Sequence, residues 1–234
     1  MFLCESVSKY SLYYFYEMDF SWLEPYPDLQ KQCKLFQMVE LLHPKEFKYK
    51  PLGVLIQDGP QCGIVALALL TANPTKETVN LIYQEAVRRK FSINGEMFSC
   101  YNMCELANQF TTYRTQVFEG TLNSGYIKHF LFDGGCLLVP YDVDKNDEPC
   151  LNNGTKAHWA VISGIIETED DCYVLAKQGK SKRIGIWKLK DLSDSNGQLN
   201  MFSPVRCNSD LAYILPDGGV KAGLCNKCVL LFQK

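Results

Sequence analysis

Three side chains far apart in the chain, Cys62, His158 and Gln178, are of the types that make a nucleophile, a base and a group that orients the base. Cys62 stands in the run LIQDGPQCGIVALALL, where a polar turn containing Gly59 and Pro60 meets the helix-forming stretch Ile64 to Leu70. A glycine and a proline just ahead of such a stretch place a helix start near Gln61 or Cys62. Unpaired backbone N–H groups and the positive end of the helix dipole meet there, and both favour a thiolate, the nucleophilic form, over a thiol. A structural cysteine would more naturally lie inside the apolar run than at its polar doorstep. Gln57, five residues upstream, could bring a side-chain amide to the same spot as an oxyanion donor.

The chain has only three histidines to serve as a base. His43 precedes a proline in a connector, and His129 lies in the helix-like run GYIKHFLF; both read as ordinary polar residues. His158 opens the apolar strand AHWAVISGII directly after the Gly154 loop, where a sheet edge can offer an imidazole to a cleft. The segment Glu167–Asp171 reads as a hairpin turn centred near Glu169. Pairing about that centre puts His158 roughly opposite Lys180 and diagonal to Gln178, with His158 and Gln178 on one face. Gln178 could then accept from the imidazole and fix its tautomer, the part of the third group in a Cys-His triad. Asp191, at the start of a polar loop, is the alternative. Lys177, Lys180, Lys182 and Arg183 surround Gln178 as a solvated turn, or as a place to hold an acidic peptide near the site.

Elements that must position these groups can be read from periodicity. Helices are expected over residues 31–42, from Gln61 or Cys62 to Leu70, around Val79–Val87, over Tyr101–Phe110 and over Ser124–Phe132. Pro25 and Pro27 are expected to stop any helix before residue 31, and Pro44 and Pro51 to bracket a polar connector. Strand-like runs follow at Thr115–Phe118, Cys136–Tyr141, His158–Ile166, Cys172–Gln178, Arg183–Leu189 and Cys228–Phe232. Helices first and strands later indicate an α+β fold, a helical half carrying Cys62 packed on an antiparallel sheet carrying His158. Residues 1–50 read as a partly helical segment whose aromatic cluster, Tyr10–Phe20, could dock on the body or be the remnant of a longer N-terminus, and residues 51–234 as the main domain.

Composition narrows the class. At 234 residues and 47% apolar, the chain can bury a sizeable core without disulfides, and a net charge of −2 argues against nucleic acid or an anionic membrane as partner. Eleven cysteines, an odd number, point to a reducing, cytosolic setting. Glu5, Lys9, Glu17 and Asp19 interrupt the start, so neither a signal peptide nor a membrane span is expected, and the sequon at Asn153 reads as a polar loop. Cys225 and Cys228 form a CxxC to which Cys100 and Cys104 add no second tight pair, so neither zinc nor redox chemistry is expected. Asp142, Asp144, Asp147 and Glu148 lack the glycine and closing glutamate of a calcium loop and read as solvated. No metal or cofactor is expected.

The run QDGPQCGIVALAL, the segment GCLLVPYDVDKNDEPC, the HWAV strand and the later AKQGKS together resemble the actin maturation protease family. The similarity covers approximately Leu52 to the C-terminus. These are cytosolic cysteine aminopeptidases related to papain-like and bacteriocin-processing peptidases. The resemblance implies a papain-like fold, Cys62 as nucleophile, His158 as base, and removal of the N-acetylated first residue, methionine or cysteine, from newly made actin. Two features depart from the pattern. The chain shows no proline-rich N-terminal extension of the kind vertebrate members use to engage profilin, which leaves profilin docking doubtful. Gln57 stands five rather than six residues before the cysteine, so Gln61 or backbone N–H groups could supply the oxyanion hole instead. Competing readings are a papain-like protease or isopeptidase with another substrate, and a catalytically idle actin- or profilin-binding module.

Overall fold

The computed structural model describes residues 18–207 and 210–233; most of the aromatic cluster, residues 10–17, and the docking expected of it lie outside them. Residues 18–46 belong to one compact unit with Ile166–Asp171. Its helix α1 spans Pro27–Leu35, flanked by 3-10 turns at Ser21–Leu23 and Val39–Leu41. Two expectations fail here. Pro27 begins the helix rather than stopping it, because a first-turn residue needs no N–H partner and the ring presets φ. The helix expected over residues 31–42 ends at Leu35, where Gln37 turns to a φ of 52°.

Phe47–Ile165 and Cys172–Lys234 form the second unit. It contains helices α2 (Cys62–Ala68), α3 (Lys76–Arg88), α4 (Cys100–Phe110), α5 (Gly125–Phe132), α6 (Leu189–Gly197), α7 (Pro204–Cys207) and α8 (Gly219–Leu224). The strands are β1 (Glu46–Tyr49), β2 (Arg114–Glu119), β3 (Cys136–Val143), β4 (Pro149–Cys150), β5 (Ala157–Glu167), β6 (Cys172–Lys177), β7 (Gly185–Lys188) and β8 (Lys227–Phe232). The sheet runs β2-β8-β3-β5-β6-β7, with β1 added to β5 and β4 to β3. The pairings of β2 with β8, β3 with β5, β3 with β8 and β6 with β7 are antiparallel. The fold class is therefore α+β with an antiparallel sheet.

Both faces of the sheet are buried, and alternation along the strands assigns the residues. Leu138, Trp159, Val161, Val229 and Leu231 join a layer with α2, α3 and α4. Leu137, Val139, Tyr141, Ala160 and Ile162 join the opposite layer with Ile127 and Leu131 of α5 and Leu189 and Leu192 of α6. Every residue of α2 is buried, as an all-apolar helix without a polar face requires. Helices α3 and α4 are amphipathic and start on side-chain caps, Thr75 accepting from Thr78 N–H and Ser99 from Asn102 N–H.

Helix α2 lies unusually close to β5. A Cβ at Gly63 would stand 2.7 Å from Met103 Cε and 3.0 Å from Trp159 Cδ1. Only a glycine beside Cys62 lets the helix start approach the strand so closely. The connector after Pro44 includes strand β1, with Lys50 N–H donating to Ser163 O at 2.8 Å. The polar loop expected at Asp191 is helix α6, with Asp191 in its first turn.

Candidate active site

Cys62 is the first residue of α2, with Gln61 at the N-cap position. Cys62 is 8% exposed, and the backbone N–H groups of Trp159 and Gly63 act on its sulfur in favour of the thiolate. Trp159 directly follows His158 in β5, so the sulfur lies beside the backbone of the same strand end. Trp159 holds that strand a second way, its indole Nε1 donating to Met97 O at 2.9 Å.

His158 is 3% exposed and sits opposite Tyr141 in the β3–β5 register, the two rings meeting edge to face at 5.7 Å. Its Nε2 is 3.1 Å from Gln178 Oε1. The backbone N–H of Lys180 donates to the same Gln178 atom at 2.6 Å. A backbone N–H can only donate, so that atom must be the amide oxygen. Nε2 of His158 must then carry the proton it shares with the oxygen. Nδ1 is left as the basic nitrogen, the atom a thiol needs. Asp191 is exposed on α6 and is not the histidine's partner.

Electrostatics favour a neutral pair before substrate arrives. Burial pushes the Cys62 thiol up, and this outweighs the lowering by the Trp159 N–H, Arg206, the Gly63 N–H and Lys180. The thiolate expected at a helix start is thus offset by dehydration. Burial, with help from Lys180 and Arg206, brings His158 down from 6.5 to about 4 against the opposing Gln178 hydrogen bond.

The other expected site residues are placed less directly. Gln57 N–H donates to Gly179 O at 2.8 Å, but its side-chain Nε2 is turned onto Gly59 O at 2.9 Å. Its Oε1 is buried without a hydrogen-bond partner among the described residues. Gln61 lines a cavity of about 250 Å³ with Leu55, Asp58, Val65 and Val79. Lys180, Lys182 and Arg183 are exposed, whereas Lys177 is buried, with its ammonium donating to Lys182 O at 2.7 Å. Lys177 therefore leaves the basic set and closes the turn from inside. Arg206, which sequence reasoning passed over, lies over the Phe98 ring at 5.4 Å and acts electrostatically on both Cys62 and His158.

Residues 52–166 match the family described as actin maturation protease-like, C-terminal domain. The actin maturation protease of Drosophila melanogaster is 38% identical over 217 residues, covering 90% of this chain and 80% of the relative. That of Xenopus tropicalis is 39% identical over 215 residues, covering 77% of this chain and 71% of the relative. The chain belongs to the actin maturation protease family. The Homo sapiens protease is also similar, 34% identical over 223 residues, covering 77% of this chain and 64% of the relative. The family match thus contains Cys62 and His158, while Gln178 and Arg206 lie beyond the matched residues.

The ten described cysteines are all free thiols, and no described helix is long and apolar enough to cross a membrane. Cys225 and Cys228 do not face one another as a metal pair would. Cys225 Sγ donates to Gly197 O at 3.0 Å, and Cys228 is buried in β8 within the layer under α5.

Proposed function

We propose that this member of the actin maturation protease family is a papain-like cysteine aminopeptidase of the cytosol. It removes the N-acetylated first residue, methionine or cysteine, from newly made actin. The observation that carries the reading is the ordered chain of donors from Lys180 N–H to Gln178 Oε1 to His158 Nε2. It leaves Nδ1 of His158 as the unprotonated nitrogen, on the residue before Trp159, whose backbone N–H lies by the Cys62 sulfur.

In this mechanism His158 takes the thiol proton as Cys62 Sγ attacks the carbonyl of the acetylated residue, so that charge separates only as the bond forms. The oxyanion is met by the Cys62 backbone N–H, which as a first-turn group has no intrahelical acceptor. Gln57 or Gln61 supplies the second donor; Gln57 does so by releasing Gly59. The imidazolium then protonates the leaving amine of shortened actin. Water, activated by the same imidazole, hydrolyses the acyl-enzyme and frees the N-acetyl amino acid.

The test is a mass-spectrometric comparison of an N-acetylated actin peptide before and after incubation with the protein. Loss of the acetylated first residue, with an acyl adduct on the Cys62 peptide, is expected. An unchanged peptide would refute the assignment. Gln178→Ala is expected to lower kcat by less than loss of the base, which removes about a hundred- to ten-thousandfold. Wild-type kinetics in Gln178→Ala would remove it from the triad.

Lys180, Lys182 and Arg183 are proposed to hold acidic residues that follow the scissile bond. An acetylated terminus has no free amine to select on, so downstream charge must help. Exposed pairs contribute about 0–1 kcal/mol each and are screened by salt. Replacing all three by alanine should raise KM a few-fold at low salt with kcat nearly unchanged, and the gap should close at high salt. Equal KM values at low salt would show the turn to be solvated only.

A further inference from the structure

Asp142, near the end of β3, is fully buried, yet the chemistry above makes no use of its carboxylate. Its partners are unusually many. Oδ2 accepts from Asn152 N–H at 3.0 Å, Gly154 N–H at 2.7 Å and Gln198 Nε2 at 2.7 Å. Oδ1 accepts from Lys156 N–H at 2.9 Å. The turn that supplies these N–H groups has two successive left-handed residues, Asn153 at φ 55° and Gly154 at φ 93°. Left-handed backbone of this kind turns successive N–H groups inward onto an anion.

The turn ends two residues before His158. It is also tied outward, because Asn153 O accepts from Asn200 N–H at 3.1 Å and Met201 N–H at 2.7 Å. A Cβ at Gly154 would lie 2.9 Å from Met201 O, so the two segments are in close contact. Residue 201 leads to Phe202, packed edge-on against Phe98 at 5.4 Å, and to Arg206 over the same ring. On the other side, Ser195 Oγ of α6 accepts from Asp142 N–H at 2.9 Å.

We propose that Asp142 is a positioning residue of the active site. Its carboxylate ties the 152–156 turn to the end of α6, fixes where β5 begins, and so sets the imidazole of His158 opposite Tyr141. Through Asn153 O it also sets the segment that carries Arg206. The inference rests on the proposed roles of Cys62 and His158.

Asp142→Asn tests it with almost no change of volume. The asparagine must aim its NH₂ at one set of donors. Three donors meet at Oδ2 and one at Oδ1, so the NH₂ turns toward Lys156 N–H. The hydrogen bond from Lys156 N–H, the one nearest His158, is then broken. Two readouts are taken on the full chain: steady-state kinetics on the acetylated peptide, and the pH profile of Cys62 alkylation by iodoacetamide. Peptide mapping separates Cys62 from the exposed Cys207.

In Asp142→Asn, kcat should fall roughly ten- to a hundredfold with KM nearly unchanged, as expected when a reacting group is displaced. Its alkylation profile should move toward that of His158→Ala. Leu137→Ala, a cavity in the same strand, is the control for general destabilisation and should keep the wild-type profile. A wild-type profile and kcat in Asp142→Asn, beside an inactive His158→Ala, would overturn the role of Asp142 alone. So would an equal shift in Leu137→Ala. If Asp142→Asn does not fold, Gln198→Ala removes one donor and should show a smaller change of the same kind; wild-type behaviour there overturns the proposal. Full activity in His158→Ala would overturn the functional reading itself and the positioning role with it.

Discussion

Cys62→Ala is expected to abolish release of the acetylated residue and to leave the fold almost unchanged. The sulfur atom is the only protein group in the proposed mechanism that forms a bond to carbon, so no neighbour can substitute for it. The structural cost is small because Cys62 begins α2 rather than filling its interior. The variant loses only the sulfur that the N–H groups of Trp159 and Gly63 act on. Peptide mass spectrometry measures the first effect and thermal unfolding the second. Detectable turnover in the folded variant would end the case for a cysteine mechanism.

His158→Ala should come close to the same loss, because a neutral, dehydrated thiol is a poor nucleophile without a base. The wild-type acid limb has a definite sign. Nδ1 must be unprotonated, and His158 lies at about 4, so activity should persist through mildly acid pH and fall as pH drops through that value. Stability runs the same way. The unfolded chain binds the proton near 6.5 and the folded chain only near 4, so stability is fully present above 6.5 and is lost as pH falls toward 4. His158→Ala should flatten the denaturant midpoint across that window. A midpoint in the variant that still falls as steeply as in wild type would remove His158 as the source.

The placement of the candidate residues was legible where chemistry and periodicity coincide. Cys62 stood at the junction of a polar turn and an apolar run, and His158 at the mouth of an apolar strand. An even step between residues 158 and 178 placed both on one face, and their side chains meet at 3.1 Å. Long strands such as β3 and β5 were readable because both faces are buried and the runs are continuous. Helix α6 was not, since LKDLSDSNG has the composition of a loop and is held by buried Leu189 and Leu192 rather than by propensity. Strand β1 was hidden between prolines. Asp142 read as one of four solvated acids; its burial depends on N–H groups that a turn ten to fourteen residues later brings back to it. No local pattern announces such a return. Arg206 was missed for a related reason, as its position depends on an aromatic ring more than a hundred residues earlier.

Strand β5 has a reading frame. Trp159 and Val161 belong to the layer of the helix that bears the sulfur, while Ala160 and Ile162 belong to the other. The indole that packs toward the sulfur-bearing helix and the imidazole opposite Tyr141 are thus written on alternate letters of a single segment. Gain or loss of one residue there would exchange every letter at once, sending the indole where the imidazole belongs. Changes of length in descendants of this chain must therefore be absorbed outside the strand, whereas changes of side-chain type can be sampled one face at a time.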